Sequence, residues 1–217
     1  MISQLSSLTT GTQNNHSSAV IKHLILLRDA GQAFLAFFYF DFRDEEKKQD
    51  LRNFVTSLLC QLSAYSSSCC HVISRIYATH GKGTQQPSNS ALANCLREML
   101  SASVKQPIYI IVDGLDECPN SSGIPTPREL VLNLLDGLVR LGQPNLHICV
   151  TSRPEADIKD VLGPLARTIS LHDEIGQMKD ISDYVSNFVS SDRMMGKWRN
   201  AEKELVVNEL SKKADGM

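Results

Sequence analysis

The stretch Ile108-Tyr109-Ile110-Ile111-Val112-Asp113-Gly114-Leu115-Asp116-Glu117 decides how this chain folds. Its first five residues are all β-formers without polar alternation, which reads as a strand buried on both faces, the kind that parallel sheets contain. In open α/β sheets, ligands gather outside the carboxyl ends of the strands. Asp113 is the residue leaving that end. A carboxylate there can hold magnesium directly or through water, and magnesium bridges the β- and γ-phosphates of a nucleoside triphosphate. Gly114 permits a tight exit. Asp116 or Glu117 can then orient or deprotonate an attacking water.

A second strand of the same kind, Leu146-His147-Ile148-Cys149-Val150, ends in Thr151-Ser152-Arg153-Pro154. It brings a hydroxyl pair, Thr151 and Ser152, and a guanidinium, Arg153, to the same sheet edge. Arginine matches phosphate geometry and can sense a γ-phosphate. Upstream, Ala33 to Phe42 (AFLAFFYFDF) is apolar on both alternating sets and is a further buried strand. A short strand is expected from Ala166 to Leu171. Between the strands run amphipathic helices. One covers Ser17 to Arg28 with Gly31 just past its end. Another carries Leu51, Phe54, Val55, Leu58, Leu59 and Leu62 on one face. A third lies around Cys70 to Tyr77, and a fourth spans Leu92 to Leu100, with Ser88 or Ser90 as its cap. The sequence Thr126-Pro127-Arg128-Glu129 is a capping box opening a helix that runs to about Leu141. Two more helices follow, through Ile175 to Phe188 and Ala201 to Lys213. Strands alternating with helices imply a mostly parallel sheet covered on both faces, a three-layer α/β/α architecture.

Composition narrows the function classes. The chain has 217 residues, 42% hydrophobic and 21% charged, with a formal net charge of −2. That balance offers no electrostatic case for nucleic acid or an anionic membrane. No apolar run reaches the ~20 residues of a membrane span, and the N-terminus has no secretory pattern. The expected location is the cytoplasm. None of the six cysteines sits in a Cys-x-x-Cys pair; Cys60, Cys95 and Cys149 fall on apolar faces and read as small buried hydrophobes. The histidines are scattered. The run from Asp44 to Lys48 reads as a solvated helix entry, and the basic stretch Arg193 to Arg199 around Trp198 is no platform for nucleic acid.

Taken together, IIVDGLDEC, ICVTSRPE and the preceding FFYFDF resemble the NACHT-type NTPase domains of fungal signalling proteins, in the nephrocystin-3-like N-terminal class of the STAND group. The resemblance covers residues 17 to 217, and its two strand-end motifs correspond to the family's Walker B and sensor segments. It implies a P-loop NTPase fold that binds ATP or GTP with Mg2+ and works as a slow switch beside an effector and C-terminal repeats. Partners would be proteins: further copies of the chain, or the effector and repeat domains of a parent protein. By the resemblance Asp113 is the Mg2+ residue, Asp116 and Glu117 are the catalytic candidates, and Thr151, Ser152 and Arg153 face the nucleotide.

One departure matters. The family's Gly-x-x-x-x-Gly-Lys-Ser/Thr loop belongs just before the helix near Ser17. Residues 1–16 hold one glycine, Gly11, and no lysine. Gly81-Lys82-Gly83-Thr84 is a decoy, because position 76 is Ile76 and no buried strand precedes it. Residues 1–16 therefore read as a poorly ordered polar leader, with the Walker A strand missing or replaced. Residues 17–175 form the core, and 176–217 begin a helical segment that reads as cut from a larger protein. Nucleotide binding by the chain alone is expected to be weak or nil. The alternative is an inactive interaction or scaffold module that keeps the fold.

Overall fold

A computed structural model of the chain describes residues 4–9, 13–42, 49–64, 66–102, 106–121, 123–170, 175–192, 195 and 198–213. They fall into two units: residues 1–8 with 13–169, and residues 9–12 with 170–217.

The sheet has five strands: β1 (Gln4–Thr9), β2 (Phe34–Tyr39), β3 (Ile108–Asp113), β4 (Leu146–Ser152) and β5 (Ala166–Ser170). Their order in the sheet is β2-β3-β4-β1-β5. β2, β3 and β4 are parallel, with Phe34 opposite Ile108 and Ile108 opposite Leu146. Side chains alternate between faces along a strand, and neighbours in register share a face. Phe34, Ala36, Phe38, Ile108, Ile110, Val112, Leu146, Ile148 and Val150 therefore look one way. They pack with Phe54, Leu58, Leu96, Met99 and Leu135 of α2 (Leu51–Ser63), α4 (Asn89–Ala102) and α5 (Pro127–Arg140). Leu35, Phe37, Tyr109, Ile111 and Cys149 look the other way, toward Ile21 and Leu24 of α1 (Gln13–Asp29). Both faces are covered, so the three-layer α/β/α expectation holds.

Local chemistry explains the element ends. Asp50 caps α2 by accepting from the Asn53 amide at 2.8 Å, and Ser66 caps α3 (Ser67–Thr79). Ser88 accepts from the Ala91 amide at the start of α4. The capping box at Thr126 is complete: the Glu129 amide donates to Thr126 Oγ1, and the Thr126 amide donates to the Glu129 carboxylate. Gly31 is left-handed at the end of α1, as expected.

Several expectations are corrected. Residues 1–16 are not simply a leader: Gln4–Thr9 is β1, between β4 and β5, and α1 starts at Gln13 rather than Ser17. The central strand thought missing or replaced is thus a polar one. Leu5 and Leu8 are three apart and have no strand period, but a place between two strands is filled by backbone hydrogen bonds whatever the side chains. Gly11 lies outside the described residues, as do the run 44–48, most of 193–197 and the last four residues. The helix α6 (Ala156–Leu162) was not foreseen; its seven residues are too few to show a period. Cys60 is exposed and Cys149 half-buried, whereas Cys69, Cys95 and Cys118 are buried. The decoy Gly81-Lys82-Gly83 is a 3-10 turn with positive φ at all three residues.

The second unit holds α7 (Ile175–Ser191) and α8 (Asn200–Lys213), which pack on each other, with Tyr184 and Phe188 stacked along α7. Its border falls near residue 170.

β2 is an edge strand, and its outer side carries an unusual cap. Gln61 of α2 accepts from the Phe37 amide at 3.0 Å and donates to the Phe37 carbonyl at 2.7 Å. One side-chain amide thereby imitates the peptide group of a missing neighbour strand. Such edges otherwise invite pairing with another chain. Gln61→Ala is expected to cost about 1–3 kcal/mol and to promote concentration-dependent association. Denaturant unfolding and light scattering check this; an unchanged midpoint would refute it.

Candidate functional site

The carboxyl ends of β3 and β4 stand side by side and are tied together. Asp113 lies opposite Tyr39 of β2, and the pair Val112–Val150 sets Thr151 beside Asp113. Face parity puts Asp113, Thr151 and Tyr39 on the side covered by α1. Asp113 is only 4% exposed and Thr151 2%. The Thr151 hydroxyl donates to the Asp113 carboxylate and accepts from the Gly114 amide at 3.0 Å. Asp113 also makes itself felt on its neighbours. Burial, and then the charge of Asp113, raises the Tyr39 phenol above its ordinary value and pushes the Cys149 thiol up to about 11.

Beyond Asp113 the chain turns sharply. Gly114 is left-handed, with φ 68°, and Leu115–Glu117 form one 3-10 turn. That turn points the next two carboxylates differently. Asp116 reaches back to β4: it accepts from the Arg153 amide at 2.9 Å, and its other oxygen lies 3.6 Å from Arg153 Nε. Glu117 turns to the end of β2, where it accepts from the Phe42 amide at 3.2 Å. Ser152 is buried, and its hydroxyl donates to the Arg153 carbonyl. The Arg153 side chain is 66% exposed. A depression of about 270 Å³ opens beside these groups, lined by Phe42, Glu117, Asn120 and Arg153 among others.

All six residues singled out in the sequence therefore meet at one sheet edge, in two groups. Asp113 and Thr151 form a buried pair on the α1 side. Asp116, Glu117 and Arg153 surround the turn, and Ser152 supports the backbone there. Sequence reasoning missed Arg128, whose guanidinium donates to the carbonyls of Asp116 and Cys118. The signal was available: a cation in the first turn of a helix opposes the helix dipole and needs another reason to be there. Oxygen ligands suit magnesium, and a buried carboxylate beside a hydroxyl is such a donor set. Among the described residues, no three His, Cys, Asp or Glu side chains converge on a metal site.

The profile of the family described as Nephrocystin 3, N-terminal, matches residues 15–153. The chain belongs to this family. The match spans both strand-end motifs and stops at Arg153, and the family's NACHT-like character agrees with the α/β sheet described above. Among solved structures, that of the Drosophila ORC bound to AT-rich DNA and Cdc6 aligns over 95% of this chain and 68% of that one, with 10% identity and a TM-score of 0.41. A likeness that slight supports no inference. No curated protein matches the sequence. Among the described residues, no helix is long and apolar enough to cross a membrane.

Glu117 provides a pH-dependent prediction. Burial raises its carboxyl above the ordinary value, reinforced by Asp116 and Asp41 and opposed by the Phe42 amide and Arg153. Between an unfolded value of about 4.3 and the raised native one, the folded state holds more protons than the unfolded state. Stability contributed by this group is therefore present below that window and lost as pH rises through it. Glu117→Gln keeps an acceptor for Phe42 and removes the loss. Its melting temperature should exceed the parent's at neutral pH and converge with it near pH 4. Parallel curves across the whole range would contradict this.

Proposed function

We propose that this nephrocystin 3 N-terminal family chain is a nucleotide-dependent switch module of the NACHT/STAND kind, carrying the magnesium and sensor half of an ATP or GTP site. The observation that supports it best is the buried Asp113 carboxylate held by Thr151 at the end of β3, with the Arg153 guanidinium exposed at the end of β4. Asp113 would hold Mg2+, which neutralises charge between phosphates. Arg153 would meet the terminal phosphate. Glu117, half withdrawn from solvent and raised in pKa, is the better placed general base; Asp116 is engaged with Arg153. No glycine-lysine phosphate loop is spelled in residues 1–16, so binding by this chain is expected to be weak or nil. The setting would be cytoplasmic, and the outputs protein–protein contacts.

A scaffold reading is favoured by a different fact. Thr151, Ser152 and Asp116 all hold their own backbone or neighbours. A site whose polar groups bond each other stays formed without ligand, and can be kept for its shape.

Amide NMR separates the two. With about 10 mM Mg-ATP or Mg-GTP, the switch reading expects shifts at Gly114, Thr151 and Arg153 that vanish with chelator and in Asp113→Asn. No shift at saturating nucleotide would leave the scaffold. A rise of several degrees in melting temperature would instead overturn the weak-binding expectation.

A further inference from the structure

Arg128 is 8% exposed, and every arm of its guanidinium is engaged. Nε donates to the Cys118 carbonyl at 3.0 Å, and Nη2 donates to the Asp116 carbonyl. Nη1 faces the Asp157 carboxylate at 3.3 Å. The Arg128 amide also donates to the Pro119 carbonyl at 3.0 Å. One residue thus grips the backbone of the acidic turn on both sides of Glu117. Its third arm reaches α6, the helix that begins two residues after Pro154. Asp157 is held in turn by Asn120, whose amide donates to it at 3.1 Å, and Asn120 accepts from the Thr126 hydroxyl at 2.8 Å.

A buried cation at the second position of a helix is unfavourable twice, by desolvation and by the helix dipole. Capping alone does not require it, since Thr126 and Glu129 already complete the box. The planar fork of arginine, with its donors in fixed directions, is what two carbonyls and a carboxylate in three directions need.

We propose that Arg128 is a positioning residue that makes the acidic turn and α6 one mechanical unit, so that a displacement of α6 is transmitted to Asp116 and Glu117. The inference builds on the nucleotide reading for its consequence: α6 becomes the element through which a contact made elsewhere retunes the hydrolytic half of the site. The link itself is a property of the protein without nucleotide.

The test uses amide exchange by NMR on the whole chain as parent, Asp157→Ala, Arg128→Met and Arg128→Lys. Glu117 and Cys118 amides, which close the turn onto Gly114 and Leu115, report on the turn; Ile110 and Ile148 amides report on global opening. Asp157→Ala removes a group bonded to Arg128 and Asn120, not to the turn. It should nonetheless speed exchange at Glu117 and Cys118 about tenfold relative to the core reporters. Arg128→Lys should behave like Arg128→Met, because a point charge lacks the fork. Unchanged exchange at the turn in Asp157→Ala, a rise matched by the core reporters, or full rescue by lysine would each overturn the proposal. If the turn responds as expected while Mg-ATP shifts no amide in the parent, the link stands and the nucleotide reading fails.

Discussion

Replacing Thr151 by valine is expected to lower the unfolding free energy by about 2–4 kcal/mol. The two side chains are nearly the same shape, so packing changes little. What disappears is one hydroxyl, on a residue only 2% exposed, that serves two partners at once. It donates to the Asp113 carboxylate and accepts from the Gly114 amide. Bonds to a charged group contribute more than neutral ones, and a buried amide deprived of its acceptor incurs its desolvation cost. Both contributions are lost together because both depend on the one oxygen. Thr151→Ser keeps the hydroxyl and should recover most of the loss, apart from about 1 kcal/mol for a buried methyl. Asp113→Asn offers the complementary comparison: its amide oxygen still accepts from Thr151, so its stability should stay within about 1 kcal/mol of the parent. Urea titration of the four proteins checks the order. Thr151→Val equal in stability to Thr151→Ser would mean that the hydroxyl is solvated and the site open.

The same pair shows how far sequence reading reaches. The strand Ile108–Asp113 announces itself because a doubly buried strand must be apolar throughout, and the residue that ends it must be the polar one at the sheet edge. The neighbouring strand follows the same logic, which places Asp113 and Thr151 at one edge from the residue pattern alone. Their shared face was also implicit in the period of two. The partners of Asp116 and Glu117 were not. A 3-10 turn sends consecutive side chains to different neighbours, and which carboxylate meets Arg153 depends on the left-handed Gly114 rather than on spacing. β1 was illegible for the opposite reason. Gln4–Thr9 is polar, so no hydrophobic pattern marks it, and only the place between β4 and β5 makes it a strand. Arg128 stood in plain view within the capping box. Its role hangs on carbonyls at Asp116 and Cys118, and backbone oxygens leave no mark in a sequence.

Gly114→Val is expected to destabilise the chain by about 3 kcal/mol and to displace the acidic turn. Two penalties combine. With φ at 68°, the residue sits where L side chains are disfavoured by about 1–2 kcal/mol, and β-branched ones by more. A Cβ there would also lie 3.0 Å from the Phe40 carbonyl oxygen, with Glu117 carbons next at 3.7 and 3.8 Å. The carbonyl cannot simply yield, because the Phe40 amide is itself bonded to the Asp113 carbonyl at 2.9 Å at the end of the β2–β3 ladder. Relief must come from the turn, which carries Asp116 away from the Arg153 amide and Glu117 away from the Phe42 amide. The two penalties separate experimentally. Gly114→Asn and Gly114→Ala place the same Cβ near Phe40, but asparagine tolerates the left-handed region. Thermal stability should therefore fall in the order parent, Gly114→Asn, Gly114→Ala, Gly114→Val. If asparagine and alanine prove equal, the contact with Phe40 dominates and the backbone conformation is secondary. If alanine matches the parent, the turn is not left-handed in solution, and the separate aims of Asp116 and Glu117, which depend on that turn, lose their physical basis.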